Sequence, residues 1–167
     1  MKKVLTIIVL IISFSSYCQT AIDYYNRGVN KAKSQDYIGA IDDYSKAIKI
    51  DPKDTDSYIN RGVAKHSLED YRGAIVDFSK ALEINPIDSF AFNNRGLSKS
   101  YLKDYKGALA DFSKAIYLNP NYGNAYFNRG TTKYRLNQID SACLDWSKAG
   151  EFGDVEAYKM IKKYCNK

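Results

Sequence analysis

A chain of 167 residues can form one ordinary domain or one short array of repeats. Its 26% charged and 45% apolar residues can fill a packed core and exclude wholesale disorder, while three prolines and ten glycines are too few for a loop-rich fold. The formal charge of +6 is spread as Lys and Arg alternating with Asp, as in Asp42-Asp43 followed by Lys46, so the concentrated basic face of a nucleic-acid binder is not expected.

The chain opens on an address. Met1-Lys2-Lys3 is basic, Val4 to Ile12 is apolar apart from Thr6, and Ser13 to Cys18 turns to smaller residues. That order reads as a secretory signal peptide over 1–18. The apolar run is too short to span a bilayer, which takes about 20 residues. Cleavage after Cys18 would leave Gln19 as the new terminus, an arrangement similar to bacterial export signals. Lipid attachment at Cys18 and an uncleaved anchor are the alternatives. Bacterial lipoprotein signals usually carry Leu three residues before the cysteine and a small residue directly before it, where this chain has Ser15 and Tyr17. An exported protein of the periplasm, envelope or exterior is expected, with a membrane as partner only if Cys18 is lipidated or the signal is retained.

From Ala21 onward a step of 34 residues organises the chain. Asn-Arg-Gly ends at Gly28, Gly62, Gly96 and Gly130, and the same step links Ala40, Ala74, Ala108 and Ala142. The rings Tyr44, Phe78, Phe112 and Trp146 keep phase, as do Ala47, Ala81, Ala115 and Ala149, and Pro52, Pro86 and Pro120 close the first three units. Each unit reads as two helices. In the second, Tyr58, Gly62 and Lys65 form one helical stripe, and Asp70 opens another helix with Ala74, Phe78, Ala81 and Leu82 on its apolar face. Asn85-Pro86 stops it, because proline cannot continue a helix and restricts the residue before it. Small residues at the Gly62 and Ala74 positions let paired helices approach, and the rings fill the space that remains.

This combination of aromatic, Gly, Ala, aromatic, Ala and Pro at fixed offsets resembles the tetratricopeptide repeat. The resemblance covers units 21–54, 55–88, 89–122 and 123–156. It implies an all-α fold, an α-solenoid of four helical hairpins. Arg27, Arg61, Arg95 and Arg129 stand where that family usually has Leu, and Lys31, Lys65, Lys99 and Lys133 where it usually has Tyr. Arg and Lys four apart share a helical face and repel unless acids lie nearby. Asp43, Asp77, Asp111 and Asp145 recur in phase on the second helix, so a repeated Arg–Asp–Lys ladder of structural purpose is expected.

The fourth unit is atypical, with Asn137-Gln138-Ile139 opening its second helix and Gly150 to Gly153 in place of Asn-Pro, as expected where a stack ends. A capping helix within 155–167 is predicted, with Ala157, Tyr158, Ile161 and Tyr164 facing inward and Lys159, Lys162 and Lys163 in water. If Cys18 leaves with the signal, Cys143 and Cys165 remain as an even pair. They form either a disulfide that pins the cap or two buried thiols.

No catalytic residue, metal site or cofactor is expected, and the chain does not read as an enzyme. It has one histidine, His66, and no phosphate-binding Gly-Lys-Ser/Thr loop. The resemblance implies a concave groove on the first helix of each unit, where a protein or peptide lies. The family's groove offsets fall on Ile22, Tyr25, Val29 and Lys33, then Asp56, Ile59, Val63, His66 and Ser67, then Phe90, Asn93, Leu97, Ser100 and Tyr101, and last Asn124, Phe127, Thr131, Tyr134 and Arg135. A chaperone-docking version of the family clamps a C-terminal carboxylate with Lys and Asn. This chain has Tyr25, Val29, Phe90 and Asn94 at those positions and matches only at Asn60, so that specialised use is not expected. An exported adaptor that binds protein or peptide is the favoured reading. A structural or assembly component of an envelope complex, self-associating or anchored through Cys18, is the alternative.

Overall fold

The computed structural model describes residues 20–165, so the segment read as a signal lies outside the described residues. Among the described residues the chain is helical with no strand: α1 (20–33), α2 (Tyr37–Ile50), α3 (Thr55–Ser67), α4 (Tyr71–Ile84), α5 (Ser89–Tyr101), α6 (Tyr105–Leu118), α7 (Gly123–Arg135), α8 (Ile139–Glu151) and α9 (Val155–Tyr164). Each helix packs on the next, and the first helices of successive pairs also touch, α3 with α5 and α5 with α7. This is an all-α solenoid of four hairpins with a C-terminal capping helix.

Two local devices set the hairpin turns. Gln35, Glu69, Lys103 and Asn137 each take the left-handed backbone, with φ of 65°, 61°, 64° and 60°. Each reverses the chain just after a first helix, and the amide that follows bonds back to an orphaned carbonyl, as Asp70 N does to Lys65 O at 2.9 Å. The carboxylates of Asp36, Asp70 and Asp104 then cap the second helix by accepting from the amides of Gly39, Gly73 and Gly107 at 2.9, 2.9 and 3.0 Å. A Cβ on any of these glycines would lie 2.1–2.3 Å from the second oxygen, Oδ2, of the capping carboxylate. The fourth unit loses both partners together. Gln138 makes no side-chain cap, and Ser141 replaces the glycine.

Helix pairs meet where the glycines are. A Cβ on Gly28, Gly62, Gly96 or Gly130 would come within 2.7–2.9 Å of the ring of Tyr44, Phe78, Phe112 or Trp146. Those rings are buried, and full burial of each stabilises the fold by about 2–3 kcal/mol. Ala40, Ala74, Ala108 and Ala142 are likewise fully buried.

The expected ladder is present. Arg61 reaches Asp77 through two parallel bonds of 2.9 and 2.6 Å, and Lys65 Nζ lies 2.8 Å from the same carboxylate. Arg95, Asp111 and Lys99 repeat this at 2.9, 2.7 and 2.7 Å, as do Arg129, Asp145 and Lys133. Arg27, Lys31 and Asp43 form the first rung. The carboxylates are buried, so two cations and a fork-shaped hydrogen-bond pair compensate each one. The arginines also reach backward. Arg61, Arg95 and Arg129 each donate to a serine of the preceding hairpin, Ser45, Ser79 and Ser113, at 3.0, 3.2 and 3.2 Å.

At the C-terminal end α9 lies on α8. Ala157, Met160, Ile161 and Tyr164 pack around Trp146 and Ala149. Tyr158 departs from the expected inward stripe: it is 58% exposed, its ring edge lies over Gly150, and its hydroxyl donates to Gly150 O at 3.0 Å. Lys159, Lys162 and Lys163 are exposed. The sulfurs of Cys143 and Cys165 lie 2.00 Å apart, a bonded distance, with their Cα atoms 5.8 Å apart.

Two outcomes follow from this packing. Gly96→Val should destabilise the array by about 3 kcal/mol in urea titration, and trimming the opposing ring with Phe112→Leu should recover part of that loss. Additive losses in the double variant would remove the glycine–ring contact as the cause. The second outcome concerns Asp43, whose carboxyl sits at about 2 rather than the ordinary 3.8, chiefly because Arg27 hydrogen-bonds it, against its own desolvation and with help from Lys31. A lowered carboxyl pKa stabilises the fold above the ordinary value and loses that contribution as pH falls from about 4 to about 2. Because Arg27 is half exposed, the contribution is on the order of 1–2 kcal/mol. Asp43→Asn should flatten that part of the stability–pH curve, and a profile parallel to the parent's would refute the assignment.

Candidate peptide-binding groove

The first helices α1, α3, α5 and α7 form one layer of the stack. Their glycine and ladder positions face their own partner helices, and the remaining side chains are divided between neighbour contacts and the open face. Polar links tie the layer together. Asn60 Nδ2 donates to Tyr25 Oη at 3.1 Å, and Asn128 Nδ2 donates to Asn93 Oδ1 at 3.0 Å. His66 Nδ1 pairs with Ser98 Oγ at 2.9 Å, and Ser100 Oγ with Thr132 Oγ1 at 3.2 Å. Burial lowers the His66 pKa below its ordinary value, which favours the neutral ring at this junction.

The sequence-derived groove residues divide into three groups. Leu97, Tyr101, Phe127 and Arg135 come together around a cavity of about 140 Å³ between α5 and α7, with Thr131 at its side and the Ser100–Thr132 hydroxyl pair among its lining. Phe90 and Asn124 are exposed near the starts of the same helices, and Val29 and Val63 are half-buried on α1 and α3. Tyr25 is half-buried beside a second hollow of about 390 Å³ that Asp51, Asp54 and Asp56 also line. Its hydroxyl pKa is raised, first by burial and then by Asp56 and Asp54.

Three expected groove residues are taken by packing instead. Ile59 is only 6% exposed and joins Tyr58, Phe78 and Leu82 in the core. Asn93 is 4% exposed and holds Asn128. Tyr134 turns to the capped end, 4.5 Å from the Tyr164 ring and 5.7 Å from Trp146.

Tyr71 is a contributor that the sequence reading passed over. Its ring stacks on Tyr101 at 4.8 Å and 17°, while His66 meets Tyr101 edge-on at 5.2 Å. The available signal was Tyr37, Tyr71 and Tyr105 recurring in phase at the start of the second helices. Among the described residues no group of three or more His, Cys, Asp or Glu is placed to hold a metal ion.

The tetratricopeptide repeat model matches residues 55–88 and 89–122, and a second TPR repeat model matches residues 31–68, so the matches together take in more than half of the chain. No curated protein sequence matches. The crystal structure of MamA protein superposes with a TM-score of 0.77 at 24% identity over 86% of this chain and 79% of that one, a likeness of fold. The first TPR of Spaghetti (RPAP3) bound to the HSP90 peptide SRMEEVD is similar with a TM-score of 0.70 and 26% identity, over 71% of this chain and 94% of that one. The second TPR domain of human RPAP3 in complex with the HSP70 peptide SGPTIEEVD gives a TM-score of 0.67 and 27% identity, over 69% and 96%.

Proposed function

We propose, from the premise that this chain belongs to the tetratricopeptide repeat family, that it is an exported scaffold that holds a protein or peptide on the open face of its first helices. The cluster of Leu97, Tyr101 and Phe127 around the α5–α7 cavity carries this reading, because apolar and aromatic groups there line open space instead of being buried between the helices. The peptide-bound RPAP3 domains support it by analogy of fold and use. The guest differs in chemistry from one clamped by its terminal carboxylate. Tyr25, Val29 and Phe90 stand where that clamp needs other residues, and the Asn60 amide is already engaged by Tyr25 Oη and Asp56 O.

Export is supported by the basic start, the apolar run Val4 to Ile12 and the small-residue exit, and by the pairing of Cys143 with Cys165 in a disulfide. Disulfides persist in oxidising compartments and are rare in the cytosol. Closing the 22-residue separation adds on the order of 3 kcal/mol and fastens α9 to α8. Thiol titration of the denatured, unreduced chain should find neither cysteine reactive. Two reactive thiols would withdraw the bridge and, with it, one support for export.

The groove itself is tested by capture from an envelope extract. The double variant Leu97→Ala with Phe127→Ala should retain its helical circular dichroism and lose at least about tenfold of the captured partner. Undiminished capture by a folded double variant would move the binding face elsewhere. Retention of the chain itself in washed membranes would favour the anchored envelope component over the soluble adaptor.

A further inference from the structure

We infer that the α5–α7 cavity selects an acidic segment of a protein partner, with one apolar side chain entering the cavity and a neighbouring aspartate or glutamate pairing with Arg135. The inference rests on the groove reading and adds the chemistry of the guest.

The cavity breaks the repeat. His66 of α3 and Ser100 of α5 occupy equivalent positions one period apart. At the α3–α5 junction the His66 ring packs edge-on against Tyr71 and Tyr101. At the α5–α7 junction the smaller serine is among the residues that line a hollow of about 140 Å³. A volume of that order takes a group the size of a benzene ring.

Arg135 sets the charge. The arginines of the ladder each hold a buried aspartate, whereas Arg135 lies off the ladder and makes no ion pair among the described residues. Its guanidinium sits 5.9 Å from the Tyr101 centroid, and its nearest polar contact is Ser100 Oγ at 3.5 Å. Tyr101 is itself held by its stack on Tyr71 and by the edge of His66. The cation therefore stands on an ordered platform beside the hollow that Leu97 and Phe127 line, and its donors beyond the long Ser100 bond suit a planar carboxylate. A basic guest is repelled at this point, and a wholly apolar one leaves the guanidinium without a counter-charge.

Selection from a phage-displayed library of random peptides on the full chain tests this directly. The parent should enrich peptides with Asp or Glu beside a Leu, Ile, Phe or Tyr. Arg135→Glu should bind those peptides about tenfold more weakly and enrich Lys or Arg in their place. Ser100→His, which places the α3 residue at the equivalent point of α5, should remove the preference for the apolar residue while the helical circular dichroism is retained. If the parent enriches no peptide, both the groove reading and this inference fall. If the enriched peptides are lost with Phe127→Ala but are indifferent to Arg135→Glu, the groove stands and the acidic specificity is wrong.

Discussion

Each hairpin exists because a glycine on its first helix faces a ring on its second. With no Cβ at Gly28, Gly62, Gly96 or Gly130, the helices close onto Tyr44, Phe78, Phe112 or Trp146, and the alanines beside these rings become fully buried. Every other contact is set by that distance. The arginine next to each glycine meets the aspartate next to each ring, and the first helices line up closely enough for single hydrogen bonds to join them.

The ladder is better understood as a device of register than of raw stability. Taking a carboxylate and two cations out of water costs several kcal/mol per ion, and well-made bonds return roughly that amount. A helix slid by one residue would bury the carboxylate with no partner. The Asp–Gly turn works the same way, since the glycine at Gly39, Gly73 or Gly107 makes room for the capping carboxylate that fixes where the second helix begins. Both devices favour one alignment over its neighbours.

Periodicity made most of the fold legible. Residue types returning in step identify helix pairs, their order and the ladder, because these are properties that every unit shares. The face of the groove was legible only in part, because it depends on differences between units. Whether an offset is open or closed is decided by side chains on the adjacent helix, many residues away in sequence. Ile59 and Asn93 are closed by well-filled neighbours, and Tyr134 is drawn to Trp146 and Tyr164 at the end of the stack. The opening at Ser100 was present in the sequence as a small residue where the previous unit has His66, but its meaning required knowing what His66 touches.

The backward bond from each arginine to the previous serine gives the molecule a grammar of permitted lengths. Arg61, Arg95 and Arg129 each belong to two units at once, satisfying an aspartate in their own and a hydroxyl in the one before. Removing or duplicating a whole unit delivers an identical serine to the same guanidinium, so the seam heals. An insertion of any other size leaves that seam mismatched on both sides. Growth and shrinkage of such a chain over generations are thereby confined to complete modules, and variation within a module is pushed onto the positions that neither seam uses.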